Sequence, residues 1–341
     1  MKRFKCRCGE RVFFENTWCL ACGVELGFDP ATLQMMASDS QDEGGAGHRY
    51  KTCRNRSDFG LCNWLVDAGS SDQYCVSCRL NRTIPHLDSG NNLQHWATLE
   101  KEKRRLLYSL IDLGLTVQSK ARGWPDGLAF DFIEDQRSNP TVPETFVSTG
   151  HQDGVITINV AEADPLYRLR MQLQLGEIYR TVLGHFRHES GHYYFSLLLG
   201  EHNTDEFRNL FGDERTDYAL ALDAYYRKGI GTPRGPEFIS SYASTHPLED
   251  WAECWAHFLL IWDGLETTCA ERGVEAPRDI DEIIEEWIEY AIHFNQTARS
   301  LGVDDPYPFV LTEAVRRKLR FVNDLIRGDN VASVTGHPVT G

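Results

Sequence analysis

The stretch HFRHESGHYYF, residues 185–195, lies inside a long helical pattern. An α-helix completes a turn in about 3.6 residues, so His188 and His192 point the same way, one turn apart. Their imidazoles can meet a single atom. Glu189 lies about 100° round the helix; it cannot easily join both histidines there, but it can reach a water bound to the same atom. His188-Glu189-Ser190-Gly191-His192 therefore reads as H-E-x-x-H on a helix, two zinc ligands and a general base. Gly191 removes a side chain where another backbone can approach. From 177 to 199 apolar residues fall on nearly every side, as in a buried helix. A buried His-Glu-His set costs free energy unless each group has a partner, and a metal supplies one. The competing reading is a set of core or capping histidines, which so short a motif also matches by chance. His185 shares the face, but about 10 Å of helix rise separates it from His192. It is expected to support the site or the core rather than bind the ion.

A catalytic zinc takes three protein ligands and keeps one position open for water. The best candidate for the third is in HPLEDWAECWAHFLLIW, residues 246–262, where Pro247 suits a helix start. Glu249 and Glu253, four apart, share a face. Trp251, Trp255, Phe258 and Trp262 form a stripe opposite, and Ala252, Ala256 and Leu260 flank the carboxylates. Small residues there allow close packing against the histidine helix. Glu249 is expected as the ligand and Glu253 as the partner of a histidine N–H; otherwise both glutamates face water on an amphipathic helix. Asp250 points elsewhere. Tyr242 and His246, just before this helix, are candidate donors to a developing oxyanion, or structural. Asp213, Glu214 and Arg215 in FGDER are expected to form local ion pairs.

Eight of the ten cysteines precede residue 80. Cys6-x-Cys8 is followed by Cys19-x-x-Cys22, and Cys53 and Cys62 by Cys75-x-x-Cys78. Short paired spacings without a secretion signal read as zinc thiolates rather than disulfides. Two four-cysteine sites are expected, each with a structural zinc, because segments this small cannot fold on buried apolar area alone. Eight unconnected or differently paired thiols are the alternative. Cys254 and Cys269 are expected to be buried thiols.

The 341 residues, 41% hydrophobic and 11% aromatic, suffice for one large domain plus small modules. The net charge of −15 is uneven: residues 1–105 hold 15 Lys+Arg against 13 Asp+Glu, and the remainder 20 against 37. Such acidity argues against nonspecific nucleic-acid binding by the C-terminal part. No apolar run approaches a membrane span. The N-terminal MKRFKCRCGE is basic but has no apolar core, so it does not read as a signal peptide. A cytoplasmic location and no membrane partner are expected.

Along the chain, the reading gives a first cysteine module over 1–28, a linker over 29–47, and a second module over 48–88. A catalytic domain over 95–330 and a flexible tail over 331–341 follow. The basic run 101–105 is expected to be a solvated helix face, offset by Glu100 and Glu102. Strands are expected over 128–133 and 155–160, and VITIN within the second could be an edge that aligns a peptide. Asp164 and Pro165 open further helix, expected over 166–199, 205–228, 248–263, 281–300 and 310–327.

H-E-x-x-H followed by a distant glutamate helix resembles the gluzincin metallopeptidases. GHFRHESGHYYF, FGDERTDYALAL and SYASTHPLEDWAECWAHFL, with the N-terminal cysteine ribbons, resemble a bacterial family of zinc-binding metallopeptidases that carry a zinc ribbon. The likeness runs from residue 4 to about 263. It implies an α+β fold: a mainly helical, zincin-like metallopeptidase domain with a small sheet, preceded by two four-cysteine zinc-ribbon modules. It also implies His188, His192 and Glu249 as ligands of one catalytic zinc, beside two structural ions, and Glu189 as the base in amide hydrolysis. The sequence departs from the usual pattern in having Glu253 where an aspartate is common. Two other functions fit the residues: an inactive zinc-containing module that binds protein or nucleic acid, and a zinc isopeptidase or deamidase.

Overall fold

A computed structural model describes residues 2–39, 50–137, 139–175, 177, 179–228 and 235–333. The chain divides into two compact units, Met1–Pro165 and Leu166–Gly341.

In the first unit, β1 (Phe4–Lys5) pairs antiparallel with β2 (Arg11–Val12), and β3 (Leu26–Asp29) with β4 (Gln34–Ala37). The second hairpin carries the first cysteine segment past residue 28, into the linker expected over 29–47. Its cause is local: Met35 and Ala37 alternate inward with Phe28 opposite, a half-buried strand pattern in an otherwise polar stretch. Residues 40–49 of that linker lie outside the described residues. Next come β5 (Tyr50–Thr52), α1 (Arg54–Phe59) and β6 (Leu65–Asp67), with β5 and β6 antiparallel. Phe14, Phe28, Trp64 and Tyr108 then join in one aromatic core. Ring centroids are 4.8 Å apart for Phe14 and Phe28, 5.1 Å for Phe28 and Trp64, and 5.5 Å for Phe14 and Tyr108. Both cysteine segments thus share one core with the helix that bears Tyr108.

After β7 (Asn81–Thr83), that helix is α2 (Asn92–Asp112); β8 (Ala129–Ile133), β9 (Gly150–Gln152) and β10 (Val155–Asn159) follow. The sheet order is β7-β8-β10-β9, parallel except for the antiparallel β10–β9 pair. VITIN is therefore an inner strand, hydrogen-bonded on both sides, and not an edge open to a peptide. Its run of Val155, Ile156 and Ile158, all buried, is what an inner strand needs. The basic run on α2 also differs from expectation. Lys103 and Arg104 are buried, with Lys103 Nζ 2.8 Å from Glu100 Oε1. Glu100 sits among them as the internal counter-charge, which is how charge is tolerated inside a fold.

The second unit is helical: α3 (Pro165–Leu175, opening at the unit boundary), α4 (Val182–Leu198), α5 (Thr204–Phe211), α6 (Tyr218–Lys228), α7 (Pro247–Arg272), α8 (Ile280–Ser300) and α9 (Glu313–Ser333). Two expected helices are each split. Thr181 is extended and its hydroxyl accepts the Gly184 N–H at 2.9 Å, so α4 starts afresh there. Gly212, at φ +104, ends α5 in a conformation that side-chain-bearing residues rarely adopt. Residues 331–333 of the expected tail belong to α9, and 334–341 lie outside the described residues. Helix α7 is central, packing on α4, α8 and α9. Trp251 is fully buried among Phe195, Phe207, Phe211 and Phe321, and Gly264 leaves room for the Trp287 ring of α8. No described helix is long and apolar enough to cross a membrane.

Candidate metal and catalytic sites

The four cysteines of each segment converge. Cys6, Cys8, Cys19 and Cys22 form one group, and Cys53, Cys62, Cys75 and Cys78 another. Sγ separations are 3.6 Å for Cys6 and Cys22, 3.7 Å for Cys8 and Cys19, and 3.6 Å for Cys62 and Cys75. Sulfurs about 2.3 Å from a tetrahedral centre lie about 3.8 Å apart, so both groups fit zinc. In the first, the chain turns tightly after each cysteine pair: the N–H of Gly9 bonds Cys6 O, and that of Gly23 bonds Cys19 O. Both glycines have positive φ, +89 and +71, which the turns require. In the second, the N–H groups of Trp64, Cys75 and Cys78 point at the sulfurs of Cys62, Cys53 and Cys75, each at 3.4 Å. Such donors favour thiolates. Cys254 and Cys269 belong to neither group and are buried thiols, as expected.

In the second unit, α4 and α7 approach closely where Gly191 faces Ala252. A Cβ placed on Gly191 would stand 3.0 Å from Ala252 Cα and 3.1 Å from the Trp255 ring. The crossing is fixed by two indole donors: Trp251 Nε1 to Gly191 O at 2.8 Å and Trp255 Nε1 to Ser190 Oγ at 3.0 Å. The tryptophan stripe therefore flanks the carboxylate face and lines the contact with α4, in place of a face turned away. This close approach brings His188, His192 and Glu249 together, one donor atom from each lying within 4.8 Å of the others. Glu249 Oε2 is 3.0 Å from His188 Nε2, and its Oε1 is 3.5 Å from His192 Nε2. Glu253 meets the other nitrogen of the same ring, with Oε1 2.8 Å from His188 Nδ1. Two imidazoles and a carboxylate are the donor set of a zinc site with an open position.

The electrostatics are those of a buried, anionic pocket. Burial opposes charge on His188, but its bonds to Glu249 and Glu253 outweigh that and hold its pKa well above the usual imidazole value. Burial likewise resists ionisation of Glu249, yet the two histidines pull its pKa well below the usual range. Glu189 is 8% exposed, and burial raises its pKa. His185 stands outside the three-residue group; burial, with Arg180 and His188 nearby, holds its pKa well below the usual imidazole value.

Residues 92–325 match the profile of a family described as "Putative zinc-binding metallo-peptidase", and residues 3–89 match a zinc-ribbon domain. The chain belongs to this family. Uncharacterized proteins of Mycobacterium bovis and of two strains of Mycobacterium tuberculosis are each 38% identical to it, over 97% of this chain and 96% of their own. No solved structure is significantly similar. The metallopeptidase match spans both α4 and α7, and one zinc-ribbon match spans both cysteine groups, in keeping with their shared aromatic core.

The remaining sequence candidates divide. Tyr242 lies against the site, its ring 5.8 Å from that of His188. His246 does not serve it. Its Nδ1 accepts the Leu248 N–H at 3.1 Å, capping α7, and its Nε2 donates to Thr216 O at 2.9 Å. With both ring nitrogens committed and 3% exposure, it has no donor left for an oxyanion. Asp213 pairs with Arg215, and Glu214 with Arg208, as local ion pairs. Tyr218 and Ser240 went unseen in the sequence. Tyr218 Oη donates to Glu249 Oε1 at 2.7 Å, and Ser240 Oγ to Glu253 Oε2 at 2.5 Å. A lone tyrosine at a helix start and a serine in a loop carry no spacing signal; only the helix crossing makes them neighbours of these carboxylates.

Proposed function

We propose that the protein is a zinc-dependent peptidase that hydrolyses amide bonds of a protein or peptide substrate. The observation that carries this is the convergence of His188, His192 and Glu249 across α4 and α7, with Glu189 buried beside them. These three residues would hold the ion, and Glu253 would hold His188 with Nε2 turned towards it. When bound, zinc supplies Lewis acidity, lowering the pKa of water and polarising a carbonyl oxygen. Glu189 takes a proton from the attacking water and delivers it to the leaving amine nitrogen. Its buried setting favours holding that proton between the two events. Tyr242 is the hydroxyl assigned to the carbonyl oxygen as charge develops there, and Tyr218 orients Glu249. The two cysteine groups would each hold a structural zinc, which either stabilises the N-terminal unit or helps it hold a macromolecular substrate.

Metal analysis of the wild type beside a His188→Ala variant tests the site. One ion per donor group is expected in the wild type, and one fewer in the variant. An unchanged metal content would remove the catalytic site. A peptide library cleaved by the wild type but not by Glu189→Gln would establish the peptidase; cleavage of branched amides alone would redirect it to an isopeptidase.

A further inference from the structure

The hydrogen bonds around His188 do not end at Glu253. One oxygen of Glu253 meets His188 Nδ1 at 2.8 Å; the other accepts from the Ser240 hydroxyl at 2.5 Å. Ser240 Oγ in turn accepts the Ala243 N–H at 3.1 Å. The hydroxyl has one proton. With the backbone N–H on its acceptor side, that proton is directed to the carboxylate. A short O–H to carboxylate bond is charge-assisted and among the stronger kinds. The segment that carries Ser240 is itself anchored: Thr312 Oγ1 donates to Pro236 O at 2.6 Å and Lys318 Nζ to Glu237 O at 2.7 Å. At its far end His246 bonds Thr216 O at 2.9 Å. Ser240 is thus a fixed point on an anchored segment, two residues before Tyr242.

We infer that Ser240 is a positioning residue for the metal site: its hydroxyl fixes the Glu253 carboxylate, which fixes the ring and tautomer of His188, and ties the turn bearing Tyr242 to occupancy of the ion. This rests on the reading that His188, His192 and Glu249 hold zinc. A carboxylate bonded through one oxygen can pivot about its side-chain torsions, whereas one bonded through both cannot. Partners that orient a metal-bound histidine are worth about 10–100-fold in metal affinity, and a hydroxyl one bond further out is expected near the lower end, about tenfold.

The test measures zinc affinity of the full chain by chelator competition, with the two cysteine groups loaded and folding checked by circular dichroism. Ser240→Ala should weaken the ion that His188→Ala removes by about tenfold, and Ser240→Thr, which keeps the hydroxyl, should restore wild-type affinity. In a Glu253→Gln background Ser240→Ala should add no further loss. Zinc binding should slow amide exchange over 240–244 in the wild type and not in Ser240→Ala. Wild-type affinity in Ser240→Ala overturns the inference, as does an equal loss in Ser240→Thr, which would mark the position as packing alone. A wild type that loses no ion on His188→Ala sinks the zinc site itself, a result that these variants cannot mimic.

Discussion

The cysteine groups and the His188–His192–Glu249 group gather metal donors in opposite ways. Each cysteine group is drawn from one stretch of chain, the first by tight turns, and its four sulfurs would fill the positions of a tetrahedral ion. The histidine group is assembled by two long helices that pack on their own account through Trp251, Trp255 and Ala252, and it offers three donors. The first arrangement would depend on an ion to hold it; the second rests on a helical core and, with three donors, would leave a coordination position open. On the proposed reading, metal dependence of folding would reside in the first unit and metal dependence of activity in the second.

The sharpest way to break that contrast is to remove one ligand of each kind. Cys75→Ser takes a buried cysteine from the second cluster, where a structural zinc would contribute about 10–16 kcal/mol to folding. Rapid proteolysis within residues 1–165 is expected, whereas His188→Ala should keep the wild-type digestion pattern. Similar resistance in both variants would erase the distinction. Next in size is Glu189→Gln. A loss of about 10²–10⁴-fold in kcat with metal content unchanged is expected, since general-base assistance is worth that much. Retained turnover would take the base away from Glu189.

Acid provides a finer comparison. Protons compete with zinc for thiolates, so the N-terminal unit should lose metal as pH falls. In the second unit, His257 is buried against Tyr307, and burial, helped by Arg187, lowers its pKa to about 4 from the usual 6.5. Its folded-state pKa lies below the unfolded value, so the unfolded chain takes up the proton first. The stability it preserves is whole above pH 6.5 and is lost as pH falls towards 4, amounting to roughly 3 kcal/mol. Thermal unfolding of the Leu166–Gly341 unit should show this slope in the wild type and a flatter one in His257→Gln. The same slope in both would assign the loss to other groups. The smallest effect concerns the helix crossing. Gly191→Ala puts a methyl 3.0 Å from Ala252 Cα and should cost about 1–3 kcal/mol in unfolding free energy, as overpacking does. It should also loosen zinc held by His188 and His192 without touching the cysteine groups.

Local chemistry was legible in the residues alone. Spacing of four along a helix placed His188 over His192, and Cys-x-Cys and Cys-x-x-Cys set two cysteines close together in one local segment; both follow from backbone geometry within a few residues. The glutamate helix was legible from Pro247 and the small residues beside Glu249, because close packing demands them. Only the tertiary structure decided the rest. It committed His246 to capping, made VITIN an inner strand, buried Lys103 and Arg104 around Glu100, and brought Tyr218 and Ser240 to the two glutamates. Each of these depends on which distant segment supplies a partner, and the pairing energy of a charge, a ring nitrogen or a strand edge is not written in its own neighbourhood.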